Sequence, residues 1–186
     1  MKKIAFALAA VVALSASADM KIGVVDLLVL IRNHPNYDSN KELLSSTDKD
    51  YKKKLDEIKS EGESLQEEGK KLAEQVRSPI LAAKAKADIE AQLMDIQKKL
   101  MGIEQRYRSE AMRCRQDLQD LESRLLKTTT DDLRKRIAKY AGENGYDFVF
   151  DKSATPFSGD KYDVTDEMLA AMNVDPKAAK DRDESK

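Results

Sequence analysis

Hydrophobic positions through the middle of the chain recur at alternating steps of three and four residues, and most of what lies between them is charged. The first run is Leu44, Tyr51, Leu55, Ile58, Gly62, Leu65, Gly69, Leu72 and Val76, with Asp48 its polar exception. The second is Ile89, Leu93, Ile96, Leu100, Ile103, Tyr107, Cys114, Leu118, Leu121 and Leu125, with Glu110 the exception and Ala111 beside it. A repeat near 3.5 residues held over about five heptads is a coiled-coil seam, not the face of a globular core helix. Prolines stand at 35, 79, 156 and 176, so 36–78 and 80–155 lack the residue that helix interiors tolerate least. Ser39-Asn40-Lys41-Glu42 fits a capping box, and Ser78-Pro79 reads as an N-cap followed by the first helical residue. The pattern predicts one helix from about 40 to 77 and another from 79 to about 140, an antiparallel hairpin whose first arm is roughly 55 Å long.

If the arms reverse at Ser78, facing seam positions have numbers that sum to about 158. Gly62 would then lie opposite Ile96 and Gly69 opposite Ile89, small against large, while Asp48 would meet Glu110 in an acidic layer that loosens the seam. Around Thr128-Thr129-Thr130-Asp131-Asp132 the stripe slips, which predicts a helix restart with Thr130 as N-cap. Leu133, Ile137 and Tyr140 carry the new stripe to Gly142, and Asn144-Gly145 ends it.

Alternation of period two is confined to the ends. Met20 to Asp26 reads as a short strand, and Tyr146 to Asp151 as a second, with apolar and acidic residues alternating. A third is expected within 157–162, before a short helix over 166–173 capped by Thr165. Residues 174–186 are polar and expected to be disordered. The predicted layout is therefore 19–36 and 131–173 forming a small β head, 37–130 forming the coiled-coil arm with its tip near 77–79, and a tail from 174. The class is α+β, mostly helical. Three strands and two short helices bury too little to be stable alone, so the head is expected to complete its core by self-association, with strands shared between protomers.

Composition narrows what such a molecule does. Of 186 residues 36% are charged and 5% aromatic, with 33 Lys plus Arg against 34 Asp plus Glu. That balance argues against a nucleic-acid binder, which would show a basic excess. One Cys and one His leave no multi-ligand metal set and no His-centred relay, there is no glycine-rich phosphate loop, and the carboxylates are too regularly spaced to single out an acid–base pair. Neither an enzyme nor a cofactor is expected. His34 is expected in a loop closing a short helix, and Cys114 as a small apolar seam residue, with an intermolecular disulfide the other reading. Met1-Lys2-Lys3, the apolar run Ile4 to Leu14 and Ala16-Ser17-Ala18 have the form of a secretory signal peptide over 1–18. Without it, 31 basic and 34 acidic side chains remain, a net of −3.

Three stretches carry a resemblance. Lys21-Ile22-Gly23-Val24-Val25-Asp26, then Tyr146 to Ala154 with its Asp151-Lys152-Ser153, then Tyr162 to Leu169 are similar, in that order, to the terminal motifs of the Skp (OmpH-like) periplasmic chaperones. The resemblance implies a homotrimer whose small β-barrel body is built from all three protomers and whose helical arms enclose a cavity. It implies a periplasmic holdase that keeps unfolded outer-membrane proteins from aggregating without ATP. The alternative, from a different class, is a structural coiled-coil spacer or adaptor of the cell envelope.

A holdase needs weak, adaptable contacts, and the tip offers them. Between Gly69 and Ala87, Lys70, Lys71, Arg77, Lys84 and Lys86 stand against Glu74 alone, a local +4, with Ile80 and Leu81 at the turn. Long cationic stems can lie on apolar segments while their heads attract acid, so these seven residues are the candidate contact for clients or for an anionic membrane surface. The mid-arm run Arg106, Arg108, Arg113 and Arg115 is interleaved with Glu104, Glu110 and Asp117 and reads as a solvated or cavity-facing surface.

Overall fold

The computed structural model describes residues 20–179; the expected signal peptide and residues 180–186 lie outside the described residues. Along the chain come β1 (Ile22–Val25), α1 (Leu27–Arg32), α2 (Tyr37–Val76), α3 (Ala83–Glu143), β2 (Phe148–Asp151) and α4 (Thr165–Ala171). The described chain divides into two compact units, one of residues 30–135 and one of 20–29 with 136–179.

In the first unit α2 and α3 pair through the predicted seam, where Ile58, Ile96 and Cys114 are buried. The register differs from the one expected. A Cβ added at Gly62 would lie 3.4 Å from Ile103 Cγ2, and one at Gly69 would lie 3.4 Å from Ile96 Cγ2. Both pairs sum to 165, one heptad further along α3. The cause is the turn: Pro79 does not start α3 but sits inside a connection of residues 77–82, because reversing direction takes more chain than two residues supply. Ser78 O accepts from Leu81 N–H (3.4 Å), and the first helical carbonyl is that of Ala82, bonded to Lys86 N–H (3.0 Å). The acidic layer disappears with the shift. Glu110 takes Lys54 across the seam, and Asp48 takes Lys52 on its own helix at 2.6 Å. Tyr107, expected in the seam, is exposed, while Glu110 and Ala111 are both half-buried between Ile103 and buried Cys114.

Two predicted helix starts are also displaced. α2 begins at Tyr37 with Asn36 in the cap position, and Ser39 Oγ donates back to Asn36 O (3.0 Å) instead of capping. The turn before it is held by buried His34, whose Nδ1 accepts from Asn36 N–H (3.1 Å), leaving Nε2–H for Asp132 Oδ2 (3.0 Å). There is no restart at Thr130: α3 runs unbroken from Ala83 to Glu143. Thr129 is buried and receives Asn40 Nδ2 (3.4 Å), and the Lys127–Asp131 pair (2.6 Å) spans the threonines, so the stripe changes face without the backbone breaking.

In the second unit β1 and β2 are parallel, with Ile22 opposite Phe148 and Val25 opposite Asp151. Val24 is also bridged to Asp163, and its carbonyl accepts from Val164 N–H (2.9 Å). Gly23 is needed there: a Cβ would fall 3.2 Å from both the Tyr146 ring and Val164 Cγ2. Gly145, at φ +68°, turns the chain from α3 into Tyr146 and β2. Val24, Val25, Val164, Met168, Leu169 and Met172 are buried. The expected strand within 157–162 is instead a single 3₁₀ turn, Asp160–Tyr162, because Gly159 and Asp160 carbonyls take the next turn's N–H groups at 3.0 Å. Thr165 opens α4 as a helical residue, with Val164 in the cap position. The tail expected from 174 begins ordered: residues 176–179 are helical, Asp175 Oδ1 accepts Lys177 N–H (2.9 Å), and Ala179 is buried.

Candidate functional site

The three motif stretches converge on one hydrogen-bonded knot. Asp26, just after β1, caps α1 by accepting Val29 N–H (3.1 Å), and its own N–H donates to Thr165 Oγ1 (2.9 Å). Thr165 Oγ1–H and N–H both donate to Asp163 Oδ1, at 2.6 and 3.0 Å, and Lys152 Nζ reaches Asp163 Oδ2 at 2.9 Å. Burial alone would raise the Asp163 pKa, but the hydrogen bonds from Thr165 and Lys152 outweigh it and hold the carboxyl below its ordinary value. The bond to Asp163 and its charge push the Lys152 ammonium up in turn. Asp151 closes the 3₁₀ turn that carries Lys152 by accepting Ser153 N–H (3.0 Å) and Oγ–H (2.8 Å). These bonds fix the loop after β2 and the start of α4 beside β1.

What that knot leaves outside is a surface. Phe148 and Phe150 project from the same face of β2, stacked 5.9 Å apart and 50% and 44% exposed. Phe157 is also exposed, as is Tyr162, over whose ring Lys161 Nζ lies at 4.7 Å. Among the described residues the sheet has only β1 and β2, so the far edge of β2 has no strand partner. An apolar edge strand in this state is a template for pairing. The sequence placed these aromatics in the head; that β2 turns Val149 inward and both phenylalanines outward was not legible from it.

At the tip of the hairpin the seven candidate residues are brought together on the turn and the helix ends flanking it. Ile80 is 93% exposed, Leu81 half-buried, and Lys70, Lys71, Arg77, Lys84 and Lys86 all exposed. Lys71 is paired with Glu67 on its own helix (3.0 Å), which reduces its availability. The other four make no ion pair among the described residues. The mid-arm arginines behave differently: Arg106 is bonded to Glu61 across the hairpin, Arg108 to Glu104, and Arg113 to Asp117 (3.7 Å). Cys114 lies buried in the seam, where burial and then the Glu110 charge push the thiol above its ordinary pKa and so away from the reactive thiolate.

Among the described residues no group of three or more His, Cys, Asp or Glu is placed to hold a metal ion, and no helix is long and apolar enough to cross a membrane. No curated protein matches the chain. The family model described as outer membrane protein (OmpH-like) matches residues 21–172, which takes in the head knot, both arms and the tip. The chain belongs to the OmpH-like family, whose members are chaperones, not enzymes, associated with the periplasm or cell envelope and with outer-membrane proteins.

Proposed function

We propose that the protein is an ATP-independent periplasmic holdase that works as a homotrimer, with strands from three heads closing one barrel and the arms enclosing an unfolded outer-membrane protein. The observation that carries this reading is the β2 edge, where two stacked, half-exposed phenylalanines stand on a strand with one neighbour. Burying them against identical heads supplies the core that a two-stranded sheet lacks. Assembly then sets three cationic tips around one client, and several weak contacts hold what one would release. Lys70, Lys71, Arg77, Lys84 and Lys86 attract acidic segments or an anionic membrane surface, while Ile80 and Leu81 offer apolar contact.

Native mass measurement of residues 19–186, alone and after dilution of a urea-unfolded outer-membrane β-barrel into it, tests the proposal. The expected result is a trimer that becomes a soluble one-to-one complex of trimer and client. A trimer that lets the client aggregate makes the protein an envelope spacer instead, and a monomer overturns the assembly.

A further inference from the structure

The outer side of α3 is unlike the outer side of α2. At about 100° per residue, Met94, Met101 and Met112 fall within about 20° of one another, some 140–160° around the helix from the nearest of the buried seam residues Ile96 and Cys114. They are 59%, 64% and 75% exposed, at positions where a coiled coil ordinarily carries charge. Glu90, one turn before Met94 and about 40° from its line, bounds the stretch at one end; beyond it, as far as Lys127, α3 has six carboxylates: Asp95, Glu104, Glu110, Asp117, Asp120 and Glu122. Each of these six lies about 80° or more from the line of Met94, whereas Lys98 and Arg115, in no ion pair among the described residues, and Arg108 and Lys127, paired with Glu104 and Asp131, lie within about 60° of it. Between the methionines the line is filled by Gln105 and continued by Gln116 and Gln119. It ends at Leu126, 51% exposed, in a groove of about 330 Å³ whose apolar lining of Ile31, Tyr37, Leu44 and Leu125 is edged by Lys41 and Glu122. The corresponding outer face of α2 carries Glu42, Asp56, Glu63, Glu67 and Glu74.

We infer that this acid-free methionine line is a client track: a surface along which an extended, unfolded polypeptide segment with apolar side chains and scattered carboxylates lies. Methionine suits it because a flexible, polarisable thioether fits many apolar shapes and fixes none. Keeping carboxylates off the line spares the client's acids from repulsion, and the flanking cations Lys98 and Arg115 favour them. A segment leaving the track at Leu126 meets this groove, whose apolar wall has room for one large side chain and whose edge carries both Lys41 and Glu122. The inference rests on the holdase reading and adds to the tip a second contact surface along the arm.

The test uses a urea-unfolded eight-stranded outer-membrane β-barrel as client and three proteins: wild type, M94E/M101E/M112E, and the α2 control S46E/S60E/S64E, which adds the same charge at exposed positions of the other helix. Both variants change solvated positions away from the seam, so helix content and assembly should match wild type. Client affinity is expected to fall by at least about tenfold in the methionine variant and to stay within about twofold in the control. In wild type, bound client should slow peroxide oxidation of Met94, Met101 and Met112, read by peptide mass. Wild-type holding with equal holding by the methionine variant, or with the three methionines oxidised at their free rates, overturns the track and leaves the holdase intact. Failure of the wild type itself to hold the client overturns the holdase reading and the track with it.

Discussion

Asp163 shows what the motif stretch around it does at the residue scale. Its carboxylate collects three hydrogen bonds from Thr165 and Lys152 and is held below its ordinary pKa despite burial. A carboxyl whose folded value lies below the unfolded one, about 3.9, stabilises the fold above that pH and loses the contribution as pH falls through the folded value. D163N should therefore melt below wild type at neutral pH, with the gap narrowing as both approach about pH 2. Thermal unfolding at fixed protein concentration across that range checks it; a gap constant with pH would mean that the loss is one of packing. The motif residues themselves were visible in the sequence. Their partnership was not, because Asp26 is more than a hundred residues from Lys152 and Asp163, and the pairing of β1 with β2 and the Val24–Asp163 bridge bring them together. His34 was equally legible as a loop residue and illegible as the holder of Asn36 and Asp132.

For the arm helices, periodicity located the seam and their length, since a 3.5-residue repeat is a local property that packing preserves. The register was not local. It depends on how many residues the turn consumes, and Ser78-Pro79, which has the form of a helix start, lies within a turn ending at Ala82. One heptad of error kept apolar against apolar and so passed unnoticed in the pattern, but it moved Glu110 from Asp48 to Lys54. The observed register makes a specific statement about glycine. At Gly62 and Gly69 an added methyl would reach Ile103 and Ile96 at ordinary contact distance, and at Gly102 it would meet nothing within 4 Å. Ala at any of the three should thus raise stability by roughly 0.5–1 kcal/mol through helix propensity. Valine at Gly62 or Gly69 should lower it by forcing the helices apart, and valine at Gly102 should not. Thermal midpoints of the six variants, at equal concentration, decide; a destabilising Gly69→Ala would require the expected Gly69–Ile89 register or a tighter seam.

At the level of the whole molecule, near-neutral composition conceals a division of labour. The net of −3 over residues 19–186 averages a tip of +4 with −5 over residues 141–186. Aromatic residues are few because the seam needs little apolar area, and four of the ten Phe and Tyr side chains, Phe148, Phe150, Phe157 and Tyr162, stand exposed on the head. Head and tip can therefore be disabled separately. F148K/F150K places two cations on the edge that assembly is proposed to bury, where desolvating them would cost several kcal/mol each. It should leave single protomers with intact helices that no longer suppress client aggregation, because one arm lacks the multivalency of three. K70E/K71E/K84E/K86E moves the tip from +4 to −4 without touching the head or the seam. It should assemble as wild type does, lose about tenfold in affinity for an acidic client at low salt, and converge on wild type as salt screens the tip. Sedimentation, with light scattering at two ionic strengths, reads both. If the tip variant holds clients as wild type does at low salt, the work falls to the arm surfaces; if the head variant still forms trimers, the β2 edge is not where the protomers meet.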